Sequence, residues 1–225
     1  MSIAKGQLIT VAAIAGMIAF AGDFLVTIVL GFFYPHYNHL QLVMSELGTS
    51  QSPVAFWVGL WWVVFGILVV AFAVGLAAAF GSGSRWGLIA ASLIALFGLG
   101  AGVAAGVFPM DSAGEETTIA GGLHDALAGM GFCAIALVPL VSLAVFRRKG
   151  ALAMAWFSIG AFALGLAVFV LFIISEDAPS SAGILSYVGL WQRLFLLIHY
   201  TYLGVTAVRM LRLARTPLAQ EAGDA

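Results

Sequence analysis

Ser45, Asp111 and His124 have side chains of the kinds that act together in hydrolysis and group transfer. In such reactions a histidine commonly moves a proton to or from a serine hydroxyl or a bound water. These three residues are therefore a candidate catalytic set. The sequence contains neither a nucleotide-binding glycine loop nor a basic surface pattern for nucleic acid, so we expect no nucleic-acid partner.

Two histidines and an acid could instead hold a metal or a cofactor. His124, His199 and Asp111 would suit a three-ligand zinc site whose open position activates a water for hydrolysis. No HExxH or paired-histidine spacing supports that set. His124 and His199 could also be axial ligands of a haem, although they differ in depth along their helices. Zinc and haem both stay open as cofactors.

A third interpretation needs no reaction. Ionisable residues inside a spanning helix are costly and indicate either a functional site or a buried ion pair. Arg193 could hold the phosphate of a lipid head group, or could be neutralised by Asp23 or Asp111. The candidate ligand-binding residues are Glu46, Gln192, Arg193 and Asp23. We favour a lipid-binding or accessory membrane subunit. The alternatives are a metal-dependent lipid hydrolase or transferase at the outer leaflet and a haem-binding protein.

Six long apolar segments must position these residues. The chain is 63% hydrophobic and 8% charged, which excludes an ordinary soluble domain. Each segment can cross a hydrocarbon core about 30 Å thick as a helix. We therefore predict an all-α, six-helix membrane domain over residues 1–215 and a short polar tail over 216–225. The predicted spans are about 8–33, 54–80, 86–108, 122–146, 152–174 and 187–211.

The distribution of charge predicts the topology. Apart from Arg193, the basic residues fall at the N-terminus, in the second and fourth loops, or near the C-terminus. The positive-inside rule then predicts a plasma or inner membrane protein with both termini in the cytoplasm. The first, third and fifth loops would lie outside, and their acids are Glu46, Asp111, Glu115, Glu116, Glu176 and Asp177. We expect an outward-facing polar pocket formed by the first and third outer loops with helices 4 and 6.

Local patterns add three expectations. The first outer loop should contain a short amphipathic helix, because its apolar residues recur at helical spacing, at Leu40, Val43, Met44 and Leu47. The third helix carries a ridge of small residues that would let a neighbouring helix approach closely, formed by Gly98, Gly102 and Gly106. Three tryptophans should belong to an interfacial belt: Trp57, Trp61 and Trp62.

Short motifs at the helix ends resemble a known family. Ser45-Glu46-Leu47-Gly48 follows helix 1, Phe108-Pro109-Met110-Asp111 follows helix 3, His124 opens helix 4 and Gln192-Arg193 opens helix 6. Their order resembles the bacterial and archaeal membrane family called domain of unknown function 998, over about residues 8–211. The resemblance implies a six-helix membrane domain whose recurring polar positions are Ser45, Glu46, Asp111, His124, Gln192 and Arg193. It implies no reaction, and Asp23, His36, His39 and His199 are not part of the family pattern.

Overall fold

The structure is a computed structural model that describes residues 2–112, 114, 116–178 and 182–223, with side chains described as far as Arg215. Helices and turns make up these residues, and no strand occurs among them. Six of the helices in this part of the chain are long and apolar enough to cross a membrane. They are α1 (Ile3–Gly31), α2 (Ala55–Gly81), α3 (Arg85–Val107), α4 (Ile119–Arg148), α5 (Leu152–Glu176) and α6 (Val188–Gly223, with the candidate span Val188–Arg215). The prediction of an all-α, six-helix membrane domain is confirmed.

Side-chain caps explain where several helices begin. The hydroxyl of Thr118 accepts a hydrogen bond from Gly121 N at 3.0 Å, so α4 begins three residues before the predicted span. Ser84 caps α3 in the same way, by accepting from Gly87 N at 3.4 Å. At the other end of the chain, the backbone of α6 continues through most of the predicted tail, to Gly223. Glu115 and the tail side chains lie outside the described residues.

The six helices form a closed ring. Each helix packs mainly on its neighbours in sequence, and α6 returns to pack on α1. Aromatic rings from four helices meet inside the ring, with centroid separations from 5.3 to 6.2 Å: Phe20, Phe65, Phe72, Phe97 and Tyr200. Such edge and stacked contacts bury large apolar areas. This aromatic cluster closes the interior of the bundle near its middle.

The predicted ridge of small residues on α3 packs against α2. A Cβ added to Gly102 would lie 2.6 Å from the Cα of Gly66, and one added to Gly98 would lie 2.9 Å from the Gly66 carbonyl oxygen. The two backbones therefore approach more closely than any larger residue allows. Over Gly98–Ala104 the helix has π geometry, which is common where a helix carries a local irregularity.

The two ends of the bundle differ in charge. The N-terminus lies beside the second loop, where Lys5 Nζ donates to Ser82 Oγ at 3.2 Å. We call this the basic end, since it also carries Arg85, Arg147, Arg148, Lys149, Arg209, Arg212 and Arg215. The opposite, acidic end consists of the first, third and fifth loops. An even number of crossings leaves both termini on one side of a membrane, and the assignment of that side to the cytoplasm stays a prediction.

The first loop differs from its predicted form. Asn38 caps a turn, with its side-chain oxygen accepting from Leu40 N at 2.9 Å, and the chain is then extended at Val43. A five-residue 3-10 helix, Met44–Gly48, follows. The expected single amphipathic helix is therefore wrong in extent. Its apolar side packs on the bundle, because Met44 and Leu47 are buried while Leu40 is exposed.

Candidate functional site

A cavity of about 520 Å³ lies inside the ring, toward the acidic end. Its deeper walls are apolar and mostly aromatic, formed by Phe97, Phe132, Phe169, Phe172 and Leu196. Its polar side chains are Asp23, Ser45, His124, Asp125, Glu176, Gln192 and Tyr200. No lysine or arginine of the described residues lines it. The cavity therefore combines an apolar interior with a polar, acidic mouth, as sites for amphiphilic ligands do.

Exposed residues of α4 and α5 line the cavity, which indicates an opening at the side of the bundle between these two helices. Asp125, Gly129 and Cys133 follow one another at four-residue intervals along α4, line the cavity and are exposed. Across from them on α5, Glu176 and Ile173 also line the cavity and are exposed. The helical rise places Cys133 about 12 Å deeper than Asp125. Polarity therefore decreases from the mouth of this opening into the bundle.

His124 lines the cavity and is held by a backbone carbonyl. The side chain is 3% exposed, and its Nδ1 lies 2.8 Å from the Phe108 carbonyl oxygen. A carbonyl oxygen can only accept, so Nδ1 carries the proton, and in the neutral ring Nε2 is left with a lone pair. No partner for Nε2 occurs among the described residues. His124 is thus held by backbone at one nitrogen and available as an acceptor at the other.

Asp23 closes the deep side of the cavity within a buried hydrogen-bond cluster. Trp61 Nε1 donates to one carboxyl oxygen at 3.1 Å, and the Tyr200 hydroxyl donates to the other at 2.8 Å. Arg193 is not among these partners, so the predicted ion pair with Asp23 does not form. The tryptophan belt prediction is also wrong in part: Trp57 is exposed, but Trp61 bonds Asp23 and Trp62 is buried against the cavity.

Gln192 joins the first loop to α6 at the cavity, which Ser45 also lines. Gln192 accepts a hydrogen bond from Met44 N at 2.6 Å through its carboxamide oxygen. Because a backbone N–H can only donate, the atom that bonds Met44 N must be the carboxamide oxygen, and the NH₂ group of Gln192 remains as a donor. Ser45 follows Met44 on the 3-10 helix and lines the cavity with a half-buried side chain. These two residues supply the site with hydrogen-bond donors.

Arg193 anchors the first loop and does not line the cavity. Its Nη2 donates to the Tyr37 hydroxyl at 2.7 Å, and Tyr37 donates in turn to Val43 O at 2.9 Å. Its Nη1 donates to three backbone carbonyl oxygens, those of His39, Leu42 and Gly189. Burial raises the pKa of Tyr37, and the nearby guanidinium opposes that rise. The guanidinium that was predicted to bind a phosphate is thus engaged with loop carbonyls.

Asp111 and Glu46, also predicted as site residues, lie beside the cavity. Both carboxylate oxygens of Asp111 accept hydrogen bonds at 2.8 Å from Thr118, one from its N–H and one from its hydroxyl. Asp111 therefore stabilises the start of α4, a favourable position for a carboxylate. Glu46 is half-buried on the 3-10 helix, and burial raises the pKa of its carboxyl. Neither residue is among those that line the cavity.

His199 lies away from the cavity, between α5 and α6. Its Nδ1 is 2.8 Å from Phe195 O, its Nε2 is buried without a partner, and its ring packs on Gly165. Within the part of the chain that is described, no group of three or more histidine, cysteine or acidic side chains is arranged to hold a metal ion. The structure therefore does not bring Asp111, His124 and His199 together as a ligand set.

Four polar or reactive residues that line the cavity were not predicted as site residues: Cys133, Asp125, Glu176 and Tyr200. Asp125 follows His124 directly and Glu176 ends α5, so both were visible as acids at the acidic end. Tyr200 and Cys133 gave no such signal, since an aromatic or a cysteine inside an apolar helix is ordinary core composition. Only the packing of α4, α5 and α6 assigns them to one cavity.

The fold and this cavity define a polytopic α-helical membrane protein with an internal site near one end of its bundle. Residues 13–209 match the family model described as Protein of unknown function (DUF998), so the chain belongs to this family. This is the family that the helix-end motifs indicated. No curated protein and no solved structure matches the chain. Of the six positions in the family pattern, Ser45, His124 and Gln192 line the cavity, while Glu46, Asp111 and Arg193 lie in the elements around it.

Proposed function

We propose that this protein binds an amphiphile of the membrane, with the head group at the acidic mouth and the apolar chain in the aromatic interior. The observation that carries the proposal is the polarity gradient of the cavity, from Asp125 and Glu176 at the mouth to Phe132 and Phe169 inside. A volume of about 520 Å³ lies within the range of small-molecule sites, about 300–1,000 Å³.

The side opening supports entry of the ligand from the membrane. Gly129 lies at this opening, and a Cβ added there would meet nothing within 4 Å. An acyl chain could therefore pass between α4 and α5 without leaving an apolar environment. On the predicted topology the acidic end faces outward, and the ligand would come from the outer leaflet of a plasma or inner membrane.

A cavity-filling variant with a matched control tests the proposal. Ala128 lines the cavity, whereas Ala126 is exposed on the same helix and does not line it. We expect Ala126→Phe to retain lipids seen by native mass spectrometry of the purified protein, and Ala128→Phe to lose them. Gly129→Leu, whose Cβ has no neighbour within 4 Å, narrows the opening and should also reduce retention. Equal retention by all three variants, with equal thermal stability, would refute binding in this cavity.

His124 and Ser45 line the same cavity, which favours a second candidate function, hydrolysis or group transfer on the bound lipid. His124 would serve as the general base for Ser45 or for a water, with the Phe108 carbonyl orienting its ring. Asp111 would act only through the stability of α4. We expect Ser45→Ala and His124→Gln to stop product release from a lipid panel while lipid retention persists. If the wild-type protein releases no product, binding alone remains.

A further inference from the structure

We infer that the head group bound at the cavity mouth is a protonated amine on an alkyl or acyl chain. This inference rests on the proposed function and names its ligand class. Two carboxylates, Asp125 on α4 and Glu176 at the end of the neighbouring helix α5, line the mouth of the cavity. Like charges held near each other are stabilised when a cation lies between them.

His124 adds an independent observation that points to the same class. Its buried side chain lines the cavity, and in the neutral ring its Nε2, which has no hydrogen-bond partner among the described residues, can only accept a hydrogen bond. Asp125, Glu176 and His124 together present acceptors, so a ligand that bonds these three side chains must supply hydrogen-bond donors. An ammonium group supplies three donors and a positive charge.

The alternative of an anionic head group lacks support at this site. Among the described residues that line the cavity, none carries a positive charge. Arg193 is the nearby cation of the acidic end, and its Nη atoms donate to Tyr37 and to loop carbonyls. A phosphate at the mouth would face carboxylates without a cationic partner. A phospholipid could still bind if its amine reached Asp125 and Glu176 while its phosphate remained in the interface.

Cys133 gives a direct readout of occupancy, because it lines the cavity and is the chain's one cysteine. The purified protein is treated with a thiol-selective methanethiosulfonate reagent, with dodecylamine, dodecanol or dodecyl phosphate present. We expect dodecylamine to slow modification of Cys133 at about tenfold lower concentration than dodecanol, a factor that corresponds to about 1.4 kcal/mol. Dodecyl phosphate should protect least. A Cys133→Ala, Leu137→Cys variant, with its thiol exposed on the outer face of α4, controls for effects on the reagent itself.

Charge-neutral variants connect the preference to the mouth. Glu176→Gln and Asp125→Asn should each reduce the advantage of dodecylamine over dodecanol to less than about threefold, since each removes one of two charges. Asp177→Asn is the matched control, because Asp177 is exposed beside Glu176 and does not line the cavity. It should keep the wild-type preference. An unchanged preference in Glu176→Gln and Asp125→Asn would overturn the head-group assignment.

The outcomes separate this inference from the proposed function. If no amphiphile protects Cys133, the proposed binding in the cavity fails. If dodecanol or dodecyl phosphate protects as well as dodecylamine, the cavity binds amphiphiles but the amine assignment is wrong. If dodecylamine protects best, nanodiscs of ethanolamine, choline or glycerol phospholipids identify the source of the amine. Protection by the ethanolamine lipid alone indicates an aminophospholipid, and protection by dodecylamine alone indicates a simple long-chain amine.

Discussion

Replacing Arg193 by glutamine should destabilise the acidic end of the bundle, even without a ligand. The guanidinium donates to the carbonyl oxygens of His39, Leu42 and Gly189 and to the Tyr37 hydroxyl. Glutamine is shorter and offers one NH₂ group in place of the two that bond the loop. The residues from Tyr37 to Leu42 would then lose the side chain that joins them to α6.

The magnitude follows from the number of bonds. Nη1 has two hydrogens for three carbonyl oxygens, so one of its bonds is shared, and Nη2 adds one more to Tyr37. Hydrogen bonds that involve a charged group contribute about 1.5–3 kcal/mol each. Water can reach part of this half-buried site and replace some of that loss. We therefore expect the variant to lose about 3–5 kcal/mol of unfolding free energy.

The measurement is thermal unfolding in detergent, combined with limited proteolysis of the first loop. The apparent Tm should fall by about 10 °C, with faster cleavage between Tyr37 and Leu42. Arg193→Lys should recover part of the loss, because it keeps the charge without the planar fork. Arg215→Gln, at an exposed arginine of the basic end, is the control and should change little. An Arg193→Gln variant as stable as wild type that had lost only ligand binding would refute this reasoning.

Three further predictions concern packing, pH and metal. Gly66→Ala should destabilise the bundle by about 1–3 kcal/mol in thermal unfolding, because the new Cβ would meet Val103 N of α3 at 2.6 Å. Gly160→Ala is the control and should be neutral, because a Cβ added there has nothing within 4 Å. Equal effects of the two substitutions would contradict the close α2–α3 packing. Burial raises the pKa of Glu46 above its ordinary 4.5, so ionisation of this carboxyl destabilises the folded protein. Glu46→Gln should therefore be more stable than wild type at neutral pH. That advantage should vanish as the pH falls through the raised pKa toward 4.5. A pH-independent advantage would contradict this. Chelator treatment should leave the Tm unchanged, because the described residues contain no three-ligand group, whereas stoichiometric zinc or iron in elemental mass spectrometry would contradict that expectation.

Asp111 and Arg193 belong to the family pattern, yet their side chains stabilise the start of α4 and the first loop. Loss of function on changing either residue would therefore not identify a ligand contact. His124 is more informative, because its side chain lines the cavity and, among the described residues, only its Nδ1 has a hydrogen-bond partner.

Much of the fold could be predicted from the sequence, because the constraint that determines it is local. A helix in lipid satisfies its backbone within the segment, so a long apolar run is sufficient evidence for a span. The six spans, the separation of acidic and basic ends and the glycine contact of α3 all follow from such runs and spacings. The gathering of Ser45, His124 and Gln192 near one end was also predictable, since each lies near a helix end on the same side.

The partner of each polar side chain could not be predicted in this way. Met44 bonds Gln192 across 148 positions, and Asp23 bonds Tyr200 across 177. No periodicity in the sequence connects residues so far apart. The presence of Asp23 and Arg193 in spanning helices suggested an ion pair that the packing does not form. The order of the helices around the ring decides which faces meet. Hydrogen bonds act only over about 3 Å, so only the tertiary arrangement could decide these partners. It determined that Arg193 holds a loop, that Asp23 bonds a tryptophan and a tyrosine, and that acids line the mouth of the cavity.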